Sequence, residues 1–570
     1  MRRRKVWQMH PERLDLAGQI SSRHGLPPLI ARLLLNRGLS DPEEVLAFLE
    51  PTLDRLATPF GLPDLGAAAD RLARAVRQRE PIAVYGDYDA DGLTATCLMT
   101  QFFQELGLPC FPYIPDRLEE GYGLNQTALE KLASKARLLV TVDCGVSDAT
   151  EVAWAQDHGM EVIITDHHEL PPELPPALAV VNPKRGGEAY PFEMLAGVGV
   201  ALLLALAVRA RLRDEGWFEN HPEPNLKNYL DLVVLGTAAD VVPVLGENRI
   251  LVRQGLKVLE ETRRPGLLAL KEASGLNGKT VTFRDLCFRL APRLNAAGRL
   301  GQAQGALHLL LATDLGQART QARILNDLNR RRQSLEQEVL KQALSLIRQE
   351  GWEQRPVMVL GREGWHPGVL GIAAARLAEE FHRPVALVSL KDGLGKGSAR
   401  SIEGYHLFQG LRACRQHLVK FGGHEAAAGF TVVEENLPAL QEALEEAFWG
   451  QVGETRLRPT LRVDAAVDLF DLDKNFYKHL ERLRPFGPGN PEPVFVCQTV
   501  ECLTSRVVGE RHLKVQLSQG QVVMEAIAFD QGSCHPLSGP LEVALSARFS
   551  SFMGQITPEL HLLDWARPGK

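Results

Sequence analysis

Three aspartates follow a short apolar run early in the chain. Residues 84–92 read V-Y-G-D-Y-D-A-D-G, which places Asp87, Asp89 and Asp91 two positions apart behind the run 82–85. Alternate residues of an extended segment share a face, so the three carboxylates can converge. Like charges this close hold protons unless a cation neutralises them, and oxygen ligands of this kind suit Mg²⁺ or Mn²⁺. For this motif alone, the alternative is a solvated acidic turn.

Three further apolar runs end in side chains of the same type, namely Asp143, then Asp166, His167 and His168, and finally Asp240. Taken singly, each of them is equally typical of a helix N-cap or of a hydrogen-bonded core histidine. Together with the first motif they supply six aspartates and two histidines, more than one octahedral ion uses. The set therefore predicts two ions about 3.5–4 Å apart, bridged by a carboxylate and a water.

Strand-like apolar runs alternate with helical stretches through this part of the chain. The spacing of Leu and Ala predicts a helix over 65–78, with Asp64 as its N-cap, and a second helix over 93–106. The apolar runs are nearly continuous, which is typical of a parallel sheet covered by helices. Because ligands bind beyond the carboxyl ends of such strands, the sequence predicts an α/β fold whose sheet edge collects the acidic residues. Residues 1–50 carry short helical patterns, and we expect them to pack on this domain.

The overall composition is that of a globular protein. The 570 residues are 45% hydrophobic and 24% charged, and their number corresponds to about three to four domains. The net charge of −6 gives no general sign of a polyanionic partner, so any nucleic-acid surface must be local. Eight cysteines without a C-x-x-C pair indicate reduced thiols. The apolar run 194–208 is too short for a bilayer and suits a buried helix, so we expect a cytoplasmic protein without a membrane partner.

One segment combines arginines with small residues. Residues 288–300 read F-R-L-A-P-R-L-N-A-A-G-R-L, and Arg289, Arg293 and Arg299 flank Asn295 in it. Guanidinium groups bind phosphate oxygens, and small residues let a backbone approach a ligand closely. The segment is therefore a candidate phosphate site, with a solvated helix end as the alternative.

A long helix and a second α/β unit come next. Helical spacing over 307–350 predicts a strut between domains, and strand-like and helical runs alternate again from residue 356. Two glycine-rich segments follow, and we expect them to be loops whose polar side chains contact phosphate and sugar; ordinary turns are the alternative. These polar residues are Lys396, Ser398, Arg400 and His424.

Short strand-like runs replace the helical spacing after residue 456. They lie at 460–467, 494–496, 503–508, 513–517, 525–529 and 541–549. Short strands separated by turn signals predict a small β-barrel, an architecture that often binds single-stranded nucleic acid.

The motifs occur in the order of a known family. D-Y-D-A-D-G, V-D-C-G, T-D-H-H and A-A-D resemble the DHH phosphoesterases, and F-G-G-H-E-A-A-A-G-F resembles the DHH-associated domain that follows them. With the long helix, R-L-N-A-A-G-R and the barrel, the chain is similar almost throughout to the single-stranded-DNA-specific 5′→3′ exonucleases of that family. This implies helical residues 1–50, a DHH catalytic domain over 51–305, a connecting helix over 306–352, a DHH-associated domain over 353–452 and an OB-fold over 453–570.

The resemblance also implies roles for individual residues. The ligands of two Mn²⁺ or Mg²⁺ ions would be Asp87, Asp89, Asp91, Asp143, His167 and Asp240, and catalysis would also involve Asp143, Asp166 and His168. DNA phosphates would be held by Arg117, Arg299, Ser398 and Arg400, the last two near the 5′ end, while Arg293, Asn295 and His424 are candidates from the residue pattern alone. The expected substrate is single-stranded DNA in recombination and repair. A single-strand-binding protein and a helicase are the expected partner proteins of a monomer.

Two other functions fit parts of the pattern. One is a DHH enzyme for short oligonucleotides, cyclic dinucleotides or pyrophosphate; the extra barrel argues against it. The other is a non-catalytic DNA-binding scaffold of the same fold; the complete set of acidic motifs argues against that.

Overall fold

The computed structural model of the chain describes residues 5–453, 458–552 and 555–568. The chain forms two compact units. One comprises Asn326–Thr460 with Met1–Val6, and the other comprises Trp7–Leu325 with Leu461–Lys570. The larger unit contains both the acidic motifs and the C-terminal barrel.

A five-stranded parallel sheet carries the acidic motifs. Its strands lie in the spatial order Cys110–Tyr113, Ile82–Gly86, Leu138–Val142, Glu161–Thr165 and Ala179–Val181. All residues of Ile82–Gly86 and Leu138–Val142 are buried, which explains why these strands are apolar without alternation. The predicted α/β fold with a parallel sheet is confirmed.

Helices pack around this sheet and complete the domain. They are Leu65–Gln78, Ala90–Glu105, Gln126–Ala133, Ala149–Asp157, Gly197–Asp214, Leu230–Ala239, Gly246–Glu260, Pro265–Ala273, Ala291–Arg299 and Ala303–Leu311. The helix over 65–78 has the predicted bounds, and Asp64 occupies its N-cap position as predicted. Its φ is 62°, however, and its side chain makes no capping hydrogen bond. Its Oδ2 instead accepts from the Val180 amide at 3.1 Å and from Arg185 at 2.7 Å, which ties the helix start to the edge strand.

The run 194–208 falls mostly within the buried helix Gly197–Asp214, as predicted. Among the described residues, the helices lack the combination of length and apolar character that crossing a bilayer requires. All eight cysteines are free thiols.

The N-terminal helices pack differently from our expectation. Leu14–His24, Pro28–Asn36 and Pro42–Leu49 bury their apolar side chains in the hydrophobic core of the C-terminal barrel, rather than chiefly against the parallel sheet. Arg249 connects both parts to the sheet domain. Its guanidinium is buried and donates to the carbonyls of Phe48 at 2.7 Å, Arg482 at 3.0 Å and Leu483 at 3.1 Å.

The C-terminal strands form an OB-like barrel, which confirms the predicted architecture. They are Ala465–Ala466, Val494–Val508, His512–Gln519, Val522–Ala528, Gly539–Phe552 and Gln555–Ala566. The runs predicted at 494–496 and 503–508 belong to one long strand, which is bent at two bulges and pairs with both neighbours to close the barrel. The sequence reading missed the last strand and the helix Lys474–Leu483.

The smaller unit is a mixed sheet flanked by helices. Its strands lie in the order Lys420–Gly423, Ala427–Val433, Leu394–Arg400, Val385–Lys391 and Met358–Glu363, and its helices are Pro367–Phe381, Leu407–Ala413 and Leu437–Val452. The glycine-rich segments are therefore mainly strands, and the predicted loops are wrong. Glycine is needed because a Cβ on Gly397 would lie 2.3 Å from the Phe430 ring across the sheet.

The long helix is shorter than predicted and runs from Leu315 to Gln349. Residues 312–314 separate it from the preceding helix, and Asp314 accepts a hydrogen bond from the Gln317 amide at 2.8 Å. The three consecutive arginines at 330–332 of this helix do not share one face. Arg332 is buried and pairs with Glu336 at 2.6 Å, while Arg330 is exposed.

Candidate metal centre

The register of the parallel sheet brings three acidic corners together. Gly86 pairs with Val142, which pairs with Thr165 on its other side. The next residues are Asp87, Asp143 and Asp166, so three neighbouring strands each end in an aspartate. Because parallel strands share one carboxyl edge, these side chains lie at the same end of the sheet.

The fourth acidic position is reached differently from the others. Asp240 does not follow a strand. It is the C-cap residue of the helix Leu230–Ala239, which is buried on nearly all sides. An all-apolar run cannot distinguish a buried strand from a buried helix, so the expectation that Asp240 also follows a strand of the sheet is wrong.

The first acidic loop is held by a helix cap and by the close approach of Gly92 to its backbone. Asp89 caps the helix Ala90–Glu105, since its carboxylate accepts hydrogen bonds from the amides of Asp91 at 2.8 Å and Gly92 at 3.1 Å. A Cβ on Gly92 would lie 2.5 Å from the Asp87 carbonyl oxygen. In the pattern D-x-D-x-D-G, the second aspartate therefore caps the helix, and the glycine allows the loop to fold closely onto the first turn of that helix.

A second helix N-terminus holds Asp91. The amides of Gly197 and Val198 donate to its two carboxylate oxygens at 2.6 and 3.0 Å. Burial, and next the charge of Asp89, nevertheless raises the pKa of Asp91 to about 7. Sequence reasoning missed this role of Gly197, although a glycine pair opening an apolar helix was a visible signal. A Cβ there would lie 2.5 Å from the Asp143 carboxylate.

Within the described part of the chain, three groups of side chains have metal-ligand geometry. Within each group, one donor atom per residue lies within 4.8 Å of the others; the groups are Asp87, Asp89 and Asp143, then Asp91, His167 and Asp240, and finally Asp143, His167 and His168. The groups share Asp143 and His167. They therefore form one continuous centre at the sheet edge.

Several donor atoms in this centre have no hydrogen-bond partner. Four buried atoms among the described residues make no hydrogen bond. They are Oδ1 of Asp87, Oδ1 of Asp143, Oδ2 of Asp240 and Nε2 of His167. Nε2 of His167 lies 3.1 Å from Oδ1 of Asp143 and 3.6 Å from Oδ2 of Asp240. Buried polar atoms of this kind are costly unless something binds them. Divalent cations bound at these groups would satisfy the four atoms, so the residues fit Mn²⁺ or Mg²⁺.

The protonation states of the centre support the same conclusion. Burial, and then the neighbouring carboxylates, raises the pKa of Asp87, Asp143 and Asp240. Burial, followed by the charge of His168, lowers the pKa of His167 to about 4, so its imidazole is neutral and can serve as a ligand. The carboxylates repel one another strongly, and divalent cations relieve that repulsion.

His168 and Asp166 form a pair beside these ligands. Nδ1 of His168 lies 2.7 Å from Oδ1 of Asp166, which also accepts from the amides of His167 and His168. Burial alone would lower the pKa of His168, but the hydrogen bond and charge of Asp166 raise it to about 9. His168 is therefore an imidazolium near neutral pH. Asp166 orients the D-H-H segment and is absent from the three ligand groups.

Tyr122 is a functional candidate that sequence reasoning missed. Its hydroxyl lies 3.2 Å from Nδ1 of His168, and its side chain is half-exposed. It stands in the stretch G-Y-G (121–123), where the positive φ of both glycines turns the loop over the centre.

Two residues at this edge also have a strained backbone conformation. Asp143 has φ 62°, a left-handed conformation that non-glycine residues rarely adopt, and its side chain is buried. Val241, directly after Asp240, has φ 62° as well, although it is β-branched. Strained residues persist where the surrounding structure holds them in place, commonly at functional sites.

Three of the predicted phosphate-binding residues of the larger unit, Arg117, Arg299 and Asn295, lie around the first acidic loop. Arg117 lies over the Tyr88 ring at 5.2 Å, and its charge and that of Arg299 both act on the Tyr88 hydroxyl. Asn295 accepts from the Ala90 amide at 2.7 Å, so its carbonyl oxygen supports the loop. Arg293 is also engaged internally, and donates to the Arg289 carbonyl at 2.5 Å.

The predicted residues of the smaller unit lie on one hairpin and the strand beside it. Nη1 of Arg400 donates to Oγ of Ser398 at 3.2 Å, and both side chains lie over Gly371 on the adjoining helix. His424 is in the turn after Lys420–Gly423, where its amide donates to the Ala427 carbonyl at 2.8 Å. Whether these three residues bind DNA stays a prediction.

The whole chain resembles proteins of known activity. Three family models match it: "DHH family, N-terminal domain" over 81–237, "DHHA1 domain" over 354–450 and "RecJ OB domain" over 463–564. The single-stranded-DNA-specific exonuclease RecJ of Escherichia coli (strain K12) is 37% identical over 562 residues, which cover 96% of this chain and 95% of that protein. The chain belongs to the RecJ family.

Other members agree with this assignment. The RecJ of Bacillus subtilis (strain 168) is 37% identical over 531 residues, which cover 92% of this chain and 66% of that protein. The crystal structure of Thermus thermophilus RecJ in complex with Mn²⁺ has a TM-score of 0.84 and 33% identity, and covers 99% of this chain and 80% of that one. The same protein in complex with Mg²⁺ has a TM-score of 0.79. The predicted metals, Mn²⁺ or Mg²⁺, are thus the ions in these family structures.

Proposed function

We propose that the protein is a metal-dependent exonuclease that hydrolyses single-stranded DNA from the 5′ end to 5′-mononucleotides. The observation that carries the proposal is the group of buried, unpartnered donor atoms of Asp87, Asp143, Asp240 and His167 at one sheet edge. Family membership with an OB domain supports a polymer substrate over a dinucleotide or pyrophosphate. The retained ligands argue against a non-catalytic scaffold.

We assign two neighbouring cation positions, which adjoin where Oδ1 of Asp143 lies 3.1 Å from Nε2 of His167. One uses the group of Asp87, Asp89 and Asp143, and the other uses the group of Asp91, His167 and Asp240. The bound cations acidify an attacking water and neutralise the charge that develops on the phosphate. The chain supplies the hard oxygen ligands and one neutral imidazole, and the amides of Gly197 and Val198 fix the orientation of Asp91.

The remaining residues position the substrate. His168, held protonated by Asp166, donates a hydrogen bond to an oxygen of the scissile phosphate. Arg117 and Arg299 bind the following phosphates, while Arg293 and Asn295 support this surface through their backbone contacts. Ser398, Arg400 and His424 recognise the terminal 5′ phosphate. Side chains that hold charge in fixed positions lower the barrier without forming a covalent intermediate.

The proposal also concerns the cellular setting. We propose that the enzyme acts in the cytoplasm as a monomer, with a single-strand-binding protein and a helicase as partners, in recombination and repair. A helicase produces the single strands that this reaction consumes. Sedimentation at several protein concentrations tests the monomer, and pull-down with each purified partner tests the associations.

The decisive experiment uses labelled oligonucleotides. The purified protein with Mn²⁺ is incubated with single- and double-stranded DNA labelled at the 5′ or 3′ end, beside an Asp143→Ala control. We expect immediate release of 5′-labelled mononucleotide from single strands and none in the control. Release that begins at the 3′ end, or cleavage confined to dinucleotides, would contradict the proposal.

A second variant tests the role of His168. His168→Ala is expected to lose turnover by about 10²-fold or more while Mn²⁺ binding, measured by calorimetry, changes little. An equal loss of Mn²⁺ affinity would make His168 a metal ligand and reject the phosphate contact.

A further inference from the structure

One large aromatic side chain stands out on the surface of the larger unit. Phe288 is 73% exposed, more than any other large hydrophobic side chain among the described residues. Its neighbours Leu286 and Leu290 are buried, so the backbone is fixed while this ring faces solvent. Single exposed apolar residues are common, and Phe288 becomes informative through its position.

Phe288 belongs to a π-helical turn that packs beside the metal centre. The turn is Leu286–Leu290, a wide helical geometry that is frequent at functional sites. Sγ of Cys287 lies 3.3 Å from the carbonyl oxygen of Ala238, two residues before Asp240. The turn that carries Phe288 therefore packs against the last turn of the helix Leu230–Ala239, which is followed by Asp240 and the exposed Val241.

The ring is also flanked by positive charge. The guanidinium carbon of Arg284 lies 5.8 Å from the centre of the Phe288 ring. Arg284 is near enough to Arg548, on the barrel strand Gly539–Phe552, for the two charges to interact. One guanidinium thus lies beside the ring, and the turn that carries both residues adjoins the helix that ends before Asp240 on one side and the barrel strand of Arg548, which is ion-paired with Glu492, on the other. All of these elements belong to one compact unit.

We propose that Phe288 is a stacking platform for one base of the single-stranded substrate between the barrel and the metal centre, with Arg284 at the adjoining phosphate. The proposal rests on the proposed function, and it names a base contact that none of the predicted phosphate-binding residues supplies. Aromatic rings accept every base because each has a π face, so the contact holds the strand without selecting its sequence. Duplex DNA offers no unstacked base to this ring, so the contact also favours single strands.

The experiment measures binding without turnover. Wild-type protein, Phe288→Ala and Phe288→Trp are titrated with a fluorescein-labelled oligonucleotide in EDTA, and anisotropy gives each Kd. Phe60→Ala is the matched control, because Phe60 is 42% exposed and carries Arg211 at the same ring distance of 5.8 Å. Arg211 is fourteen residues along the helix from Gly197, about 21 Å from the metal centre.

Stacking predicts a specific pattern of affinities. Phe288→Ala should bind the oligonucleotide about 5- to 150-fold more weakly, while Phe288→Trp should stay within about threefold of wild type. Phe60→Ala should match wild type. A large loss in Phe288→Trp as well would overturn stacking, because a larger aromatic ring should replace the smaller one.

An abasic scan identifies the base and separates stacking from general damage. Oligonucleotides with one abasic site at successive positions are bound to wild type and to Phe288→Ala. One position should weaken the wild type strongly and leave Phe288→Ala nearly unaffected, since the two changes remove the same contact. Equal effects of every abasic position on both proteins would overturn the proposal.

The result is independent of the cleavage assay. If wild type fails to cut single strands, the proposed function fails, whatever the binding pattern. If wild type cuts single strands but Phe288→Ala binds as tightly as wild type, only the stacking role fails.

Discussion

The substitution Gly298→Ala should disable the metal centre without touching a proposed ligand. Gly298 lies in the A-A-G-R stretch of the helix Ala291–Arg299. A Cβ at this position would stand 2.4 Å from the carbonyl oxygen of Tyr88, whereas ordinary contacts begin at 3.4 Å. Tyr88 lies between Asp87 and Asp89. The obstacle is backbone, so a rotamer change cannot relieve it.

The size of the effect follows from this geometry. The acidic loop or the helix must retreat by about 1 Å, and a displacement of that size at a catalytic group costs about 10²-fold in rate. Overpacking costs about 1–3 kcal/mol, and alanine in place of glycine in a helix returns about 1 kcal/mol. We therefore expect Gly298→Ala to lose about 100-fold in exonuclease rate and at most about 2 kcal/mol in stability.

Three measurements test this reasoning together. They are the initial rate on single-stranded DNA, Mn²⁺ affinity by calorimetry, and the free energy of unfolding in urea. Gly305→Ala is the matched control, because it lies in the next helix and its nearest neighbour would be 3.8 Å away. Gly305→Ala should keep full activity. A Gly298→Ala protein with wild-type rate and wild-type Mn²⁺ affinity would refute the argument.

Three other perturbations have defined outcomes. The pKa of Asp91 is about 7 in the folded protein against 3.8 ordinarily, so the metal-free protein should lose stability as the pH rises from about 4 to about 7. Mn²⁺ affinity should fall as the pH drops below about 7, because protons compete with the cation for this carboxylate. Thermal melts measure the stability and calorimetry measures the Mn²⁺ affinity, both from pH 5 to pH 9. Arg249→Ala should lower the free energy of unfolding in urea by about 3–5 kcal/mol, since several buried carbonyls and the Phe48 ring at 3.7 Å lose a cationic partner. Asp166→Asn should cost about 10–100-fold in activity, because it weakens the support of the D-H-H segment; kcat on single-stranded DNA measures it.

Each outcome has a contrary result. Mn²⁺ affinity independent of pH between 6 and 8 would mean that Asp91 is not protonated in that range. A lysine at position 249 keeps the positive charge, but its ammonium cannot reach all the carbonyls that the guanidinium contacts. If Arg249→Lys were as stable as wild type, the charge alone would account for the stabilisation and the several hydrogen bonds would not. Unchanged kcat in Asp166→Asn would remove the positioning role from the hydrogen bond to His168.

The sequence identified the residues of the centre better than the elements that carry them. Asp87 and Asp143 follow buried strands, and such strands are visible as continuous apolar runs. Asp240 has the same local pattern, yet it ends a helix. Burial on all sides erases the periodicity that distinguishes the two. Glycine-rich strands were taken for loops for a similar reason, since the need for Gly397 arises from Phe430 on the neighbouring strand.

The sequence by itself determined the parallel α/β architecture, the barrel and the acidic residues at strand ends. These features depend on local periodicity and on side-chain chemistry, both of which a single chain segment displays. Only the tertiary structure placed the Gly197 and Val198 amides on Asp91, seated the N-terminal helices in the barrel core and packed the turn that carries Phe288 against the helix that ends before Asp240. These contacts join residues that are distant in the chain. Such contacts depend on which apolar surfaces of distant segments pack against each other in the folded protein. The local sequence of one segment does not specify its packing partner.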